Sequence, residues 1–166
     1  MNRSRRLSVI LIMVALMLAL PTAALANKRI YQARLTTGAE LHQVVGSRAS
    51  GTATIVTGLD SSLLFVMQVY NLSGAATAAH IHAPASTTEN AGVKVGLCGS
   101  ASSMVATCTM DGSTLVIEGE INAALLAAWG VNPAEFMSWL NNGLAYVNVH
   151  TALNPAGEAR GQVYPR

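Results

Sequence analysis

Along most of the chain, apolar and polar positions alternate with a period of two, which is typical of half-buried β-strands. The pattern predicts nine short strands, separated by turns that are rich in Gly, Asn and Asp. They are expected at 30–35, 51–58, 62–70, 75–82, 93–98, 104–110, 114–121, 145–150 and 159–164. Asp111-Gly112 is a tight-turn signal between two of them. Short strands at this spacing predict an all-β fold, an antiparallel β-sandwich.

One segment of the chain has a helical period instead. Asn122 can cap an alanine-rich helix over 123–129 that Gly130 ends. Asn132 can cap a second short helix that has Pro133 at its first position. Its apolar residues share one face at i, i+3 and i+4 spacing: Phe136, Trp139 and Leu140. The two helices predict a short helical crossover between two strands.

The first 26 residues have the features of an export signal. Three arginines, Arg3, Arg5 and Arg6, precede an apolar run over 7–20, and Ala24-Leu25-Ala26 forms a small-x-small cleavage site. The sequence therefore predicts a secreted or periplasmic protein whose mature chain starts at Asn27. The alternative is an uncleaved membrane anchor, for which the apolar run is short. After cleavage no membrane span is expected.

Removal of the signal changes the charge of the protein. Three of the ten basic residues lie in the signal, which leaves seven against eight acidic residues and a formal net charge of −1. Such a chain has no basic patch for a phosphate backbone, which argues against nucleic acid as a partner. Residues 27–166 are enough for one domain with a full core, and no linker or repeat indicates a second domain.

Two cysteines, Cys98 and Cys108, lie in the exported part of the chain. An even number of cysteines in an oxidising compartment favours a disulfide, which at this spacing would staple one hairpin. Two separate buried thiols are the alternative.

Three histidines fall within predicted strands. His80 and His82 are two residues apart, so that in a strand both imidazoles lie on one face. In the later strand, Tyr146, Asn148 and His150 likewise share a face. If these strands are neighbours, His80, His82 and His150 can meet, and three neutral imidazoles would suit copper or zinc.

A purely structural role for the same polar residues is the alternative. Glu158 and Arg160 are two apart, and the turn over 154–157 brings their strand back beside the one that contains Asn148 and His150. These four side chains could form one hydrogen-bonded network that organises the C-terminal strands. The polar cluster to be located is therefore His80, His82, Asn148, His150, Glu158 and Arg160. The fourth histidine, His42, stands apart from this group in the sequence.

No catalytic constellation is recognisable in the sequence. It contains no G-x-S-x-G turn, no phosphate loop, no H-E-x-x-H and no arranged pair of carboxylates. We therefore expect a protein that is not an enzyme and that needs no cofactor, with copper or zinc as the alternative.

Two stretches resemble the CHRD (chordin-like) domain family, which includes exported bacterial members. They are NLSGAATAAHIHAPA, residues 71–85, and GLAYVNVHTALNPAGEARGQV, residues 143–163. The resemblance extends from about Ile30 to the C-terminus, and Ala159 is a mild departure because the family usually has Ile there. It implies an immunoglobulin-like β-sandwich and an extracytoplasmic module that binds an unknown protein or surface ligand. Growth-factor antagonism, the role of chordin, is not expected of a bacterial protein.

The H-x-H strand is also similar, more weakly, to that of Cu/Zn superoxide dismutase, which implies a superoxide-dismutase-like sandwich. His80, His82, His150 and Arg160 would be the counterparts of residues in that family. No histidine lies between His82 and His150, so the bridging ligand and the zinc ligands of that family are missing. Redox catalysis is therefore not expected.

Overall fold

The computed structural model describes residues 28–58 and 62–166. The predicted signal peptide, residues 1–26, and the predicted first mature residue, Asn27, lie outside these described residues. The strands are β1 Ile30–Thr36, β2 Ser50–Thr57, β3 Leu63–Tyr70, β4 Ala76–His82, β5 Val93–Cys98, β6 Thr109–Asp111, β7 Thr114–Ile121, β8 Ala145–Thr151 and β9 Ala159–Pro165. A 3-10 turn, Thr37–Ala39, follows β1, and two helices, α1 Ala123–Ala128 and α2 Pro133–Asn141, precede β8.

All nine strands belong to one antiparallel sheet, in the order β5-β4-β8-β9-β1-β2-β3-β7-β6. Side chains alternate between core and solvent, as in β3, where Phe65 and Met67 are buried and Leu64 and Val66 are exposed. The inward-facing residues of all the strands except β6 belong to one hydrophobic cluster. The sheet is therefore curled around a single core, which confirms the predicted all-β, antiparallel, sandwich-like fold.

The predicted disulfide between Cys98 and Cys108 is present. Its role differs from the prediction, because it does not staple one hairpin. Cys98 ends β5 and Cys108 immediately precedes β6, and these strands are the two edges of the sheet. The bridge therefore holds the two edges of the curled sheet together and helps to shield them from pairing with other chains.

The predicted strand over 104–110 is wrong for most of its length, since only Thr109–Asp111 is a strand. The reason is that this segment connects β5 with β6 and so runs from one edge of the sheet to the other. Val105 N and Ala106 N donate hydrogen bonds to Gly96 O and Leu97 O of β5, each at 3.0 Å. The segment is thus held beside β5 by two backbone hydrogen bonds and the disulfide, without forming a ladder.

The helical crossover is confirmed in detail. The Asn122 side chain accepts a hydrogen bond from Leu125 N, and Asn132 caps α2 with Pro133 at the first turn. The face predicted for α2 is the buried one, formed by Phe136, Trp139 and Leu140. Within 28–58 and 62–166, no helix has the length and apolar character to cross a membrane.

Candidate metal centre

The three candidate histidines come from two neighbouring strands. In the register of β4 and β8, His80 lies opposite Asn148, His82 opposite Tyr146, and Ala78 opposite His150. His150 is therefore the diagonal neighbour of His80, a spacing that imidazole rings can bridge. On the other face of the same strands, Ala79, Ile81, Val147 and Val149 lie in the hydrophobic core. The alternation predicted from the sequence thus brings all three rings to one face.

The three rings form a compact group, which we call the histidine triad: His80, His82 and His150. One nitrogen of each ring lies within 4.8 Å of the others. His80 Nδ1 and His150 Nε2 are 3.2 Å apart. Two nitrogens bound to one ion at about 2.0–2.1 Å would be roughly 3.3–3.6 Å apart, close to this separation, and an ion between them would displace the proton that the pair shares.

Backbone carbonyls determine the protonation of two of these rings. His82 Nδ1 lies 2.9 Å from Ala91 O, and His150 Nδ1 lies 3.0 Å from Pro155 O. A carbonyl oxygen only accepts, so both Nδ1 atoms carry the proton and both Nε2 atoms present lone pairs. His80 Nδ1 then donates to His150 Nε2. The Nε2 of His82 is buried and has no hydrogen-bond partner.

Burial keeps the triad neutral. It lowers the pKa of His80 to about 4, helped by the positive charges that His150 and His82 would carry. It also lowers the pKa of His82 to about 4, an effect that the Ala91 carbonyl opposes and that His150 and Arg160 reinforce. The pKa of His150 is lowered as well, by burial first, against the hydrogen bond to Pro155. The three imidazoles are therefore uncharged at neutral pH, and the lone pair of His82 Nε2 has no hydrogen-bond partner.

Glu158 is not part of this group, which corrects the prediction that it shares a network with Asn148, His150 and Arg160. The strand β9 begins only at Ala159, after Gly157 with its φ of +134°, so the alternation along β9 does not extend back to Glu158. The carboxylate is fully buried and accepts five hydrogen bonds, from Ser47 Oγ, Ser73 N, Ser73 Oγ, Thr151 Oγ1 and Asn154 Nδ2. We call this set the Glu158 network.

The Glu158 network connects three loops that are distant in sequence. Burial acts to raise the pKa of Glu158, but the hydrogen bonds from Ser47, Ser73 and Thr151 outweigh it, so that the pKa lies below its ordinary value. The carboxylate is therefore ionised at neutral pH and fully hydrogen-bonded. This is the structural role that the sequence suggested for the polar residues, but for a different set of partners.

Arg160 and Asn148 lie beside the triad on the same sheet face. Asn148 pairs with Arg160 across β8 and β9, and with His80 across β8 and β4. Arg160 donates to the loop that follows β4, to Ser86 O, Glu89 O and Asn90 Oδ1. The two polar residues thus lie beside the triad in the strand register, but their hydrogen-bond partners are Glu40 and the loop after β4, and Arg160 does not bond to Glu158.

Sequence reasoning missed Glu40 and the position of His42. Glu40 Oε1 accepts a hydrogen bond of 2.9 Å from Asn148 Nδ2, and His42 Nε2 lies 3.0 Å from Gly157 O. Burial raises the pKa of Glu40 to about 6, although His42, Arg160 and the Asn148 bond lower it. Glycine is favoured at 157 because of its φ of +134°, and a Cβ there would also displace the Glu40 and Asn148 side chains. No local pattern marks this loop contact, since the residues are more than 100 positions apart in sequence.

The model of the CHRD domain family matches residues 31–163. The chain belongs to the CHRD domain family. No curated protein and no solved structure matches it. The family match runs from the second residue of β1 to within two residues of the end of β9, and it includes both stretches that show the resemblance as well as the triad.

Proposed function

We propose that this CHRD domain binds one copper or zinc ion through His80, His82 and His150. The observation that carries the proposal is the state of His82: its Nδ1 donates to a carbonyl, and its buried Nε2 has no partner. A buried polar atom without a hydrogen bond is costly, and a metal ion would remove that cost. Metal-bound histidines usually donate their other N–H to a carbonyl or carboxylate, as His82 and His150 do here.

The donor set supports this choice of metal. Imidazole nitrogen suits copper and zinc, whereas calcium and magnesium prefer oxygen ligands. Among the described residues, the group that can hold a metal contains no carboxylate and no thiolate. Three protein ligands leave a further position for water or another small ligand.

The proposal is tested by titrating the metal-free protein with Zn²⁺ and with copper in the presence of a competing chelator. We expect one ion per chain, and for His82→Ala a loss of affinity of more than about 100-fold. His42→Ala is the matched control, because it removes a histidine outside the triad and should retain the site. Equal, negligible binding by the wild type and both variants would end the proposal.

At the level of the whole domain, we propose an extracytoplasmic, non-enzymatic binding module, with an unknown protein or surface ligand as its partner. The disulfide and the family support an oxidising compartment. A cleaved N-terminus at Asn27 in protein recovered from the cell exterior or periplasm would support export. Retention of the protein inside the cell, or turnover of a substrate that His82→Ala abolishes, would contradict this proposal.

A further inference from the structure

We propose that Arg160 and Tyr146 are positioning residues of the metal site, which hold the His82 ring in the orientation and tautomer that a metal ion requires. This inference rests on the proposed metal-binding function. Neither residue is a ligand in this arrangement, because the Tyr146 hydroxyl is hydrogen-bonded to the Ala91 peptide and a guanidinium has only donors. They contact parts of His82 other than its free nitrogen: Tyr146 stacks on the ring face, and the loop over 83–92 binds Nδ1.

The first route is a stack of three planar groups. The rings of His82 and Tyr146 are parallel within 1°, with their centroids 4.7 Å apart. The guanidinium carbon of Arg160 lies 3.6 Å from the centroid of the Tyr146 ring. Because β8 lies between β4 and β9 in the sheet, Tyr146 is sandwiched between the imidazole and the guanidinium. The stack restricts rotation of the His82 ring about its side-chain bonds.

The second route runs through the loop. Arg160 donates to Asn90 Oδ1 at 2.8 Å, to Ser86 O at 3.1 Å and to Glu89 O at 2.7 Å. Ala91, which directly follows Asn90, supplies the carbonyl that accepts the hydrogen bond from His82 Nδ1. Arg160 therefore fixes the position of the acceptor that determines which nitrogen of His82 is free.

Tyr146 contributes to the loop as well as to the stack. Its hydroxyl accepts a hydrogen bond from Ala91 N at 3.3 Å and lies 3.4 Å from Ala91 O. The same tyrosine thus contacts both the His82 ring and the peptide that orients it. Two independent sets of contacts converge on one imidazole.

Arg160 is buried, so its guanidinium depends on the hydrogen bonds that it makes within this arrangement. Arg160 is 1 % exposed, and in the part of the chain that the structure describes it makes no salt bridge. A buried guanidinium is expensive unless hydrogen bonds compensate for its lost hydration. Two carbonyl oxygens and an amide oxygen of the loop accept three hydrogen bonds from Arg160, and the Tyr146 ring covers its planar face. These partners all belong to the loop over 83–92 or to the ring that stacks on His82.

Two pairs of substitutions separate the two routes. Tyr146→Leu removes the stack, whereas Tyr146→Phe keeps the ring and removes only the hydroxyl. Arg160→Gln removes the planar guanidinium and its charge, whereas Arg160→Lys removes the guanidinium but keeps the charge. Ser47→Ala is the matched control, because it weakens the Glu158 network and leaves the contacts of His82 intact.

Each variant is examined by imidazole ¹⁵N NMR without metal, which reports the tautomer of His82, and by Zn²⁺ affinity. In the wild type we expect a single tautomer with the proton on Nδ1. For Tyr146→Leu and Arg160→Gln we expect a mixture of tautomers and a Zn²⁺ affinity lower by about 10–100-fold. Tyr146→Phe and Arg160→Lys should lie between these variants and the wild type, both in the tautomer of His82 and in Zn²⁺ affinity. Ser47→Ala should lower stability while leaving tautomer and affinity at wild-type values.

A folded Arg160→Gln or Tyr146→Leu protein with the wild-type tautomer and affinity would overturn the inference. If both fail to fold, Asn90→Ala decides in the same way, because it removes one bond of Arg160 at an exposed position. The NMR result needs no metal. A wild type that binds no Zn²⁺ would therefore refute the proposed function, while the tautomers of the variants would still decide whether these residues position His82.

Discussion

The Glu158 network and the histidine triad are both polar clusters inside a β-protein, and they differ in whether their buried polar atoms all have hydrogen-bond partners. Both oxygens of Glu158 are fully used by donors from three loops. In the triad, His82 Nε2 is buried and has no hydrogen-bond partner. The rest of that ring is held by neighbours, since Nδ1 is hydrogen-bonded to Ala91 O and the ring face stacks on Tyr146.

The difference separates a structural cluster from a binding one. A carboxylate with a complete set of donors stabilises the loops that supply them and has no capacity left for a ligand. A ring held rigidly with one lone pair unused has a capacity that only a proton, a water molecule or a metal ion can fill. Its low pKa makes the proton a poor occupant near neutral pH.

We expect the largest loss of stability from a substitution in the Glu158 network, and it tests the structural role of that network. Glu158→Gln replaces one acceptor oxygen by a donor in a site where all neighbours donate, so we expect a loss of about 3–5 kcal/mol in the free energy of unfolding. Denaturant unfolding measures it, with Glu118→Gln, an exposed carboxylate, as the control. An unchanged unfolding free energy would show that the network is not structural.

The disulfide gives the next largest effect. Its cysteines are ten residues apart, and loop-closure entropy predicts a loss of about 2–3 kcal/mol for Cys98→Ala/Cys108→Ala. Reduction of the wild-type protein should cause the same loss without a change of side chain. Because β5 contacts β4 but supplies no triad residue, Zn²⁺ affinity should persist in the folded protein. Loss of binding on reduction would mean that the triad depends on closure of the sheet edges.

The pH dependence of stability should show a smaller effect that is specific to the triad. Between pH 6.5 and about 4, the unfolded chain takes up protons on His80 and His82 that the folded chain does not. The free energy of unfolding of the metal-free protein should therefore be highest above pH 6.5 and should fall as the pH drops through this window.

Glu40 acts in the opposite direction within part of that window. Its pKa is raised from 4.5 to about 6, so its contribution is present below pH 4.5 and is lost as the pH rises through 6. The measurement is denaturant unfolding at several pH values, with a chelator present, for the wild type and His82→Asn. The variant should show a flatter dependence, and identical slopes would contradict the assignment of neutral histidines.

The triad could be predicted from sequence because its residues obey local rules. The H-x-H spacing and the alternation through Tyr146, Asn148 and His150 hold wherever two strands pair in regular register. The pairing of β4 with β8 is regular from Ala78 to His82, and the irregular steps of β4 within this range lie in its pairing with β5. What sequence alone left open was that the strands are neighbours, which the sheet order supplies.

The errors have the opposite origin. The predicted network of Glu158 with Arg160 assumes that the two-residue spacing places both side chains on one face, and this alternation does not extend beyond β9 to Glu158. Glu40, Asn90 and the Ala91 carbonyl belong to loops, whose positions depend on contacts far away in sequence and not on period. The disulfide pairing was predictable from the cysteine count, but its position between the sheet edges depends on the order of the strands.

The most direct test is a crystal structure of the protein with Zn²⁺, with anomalous scattering recorded at the zinc absorption edge. We predict one ion bound by His82 Nε2, His150 Nε2 and one nitrogen of His80 at about 2.0–2.1 Å, with the Ala91 and Pro155 hydrogen bonds retained. A fully zinc-exposed crystal with no anomalous peak between these rings, or with a peak only at other residues, would contradict it.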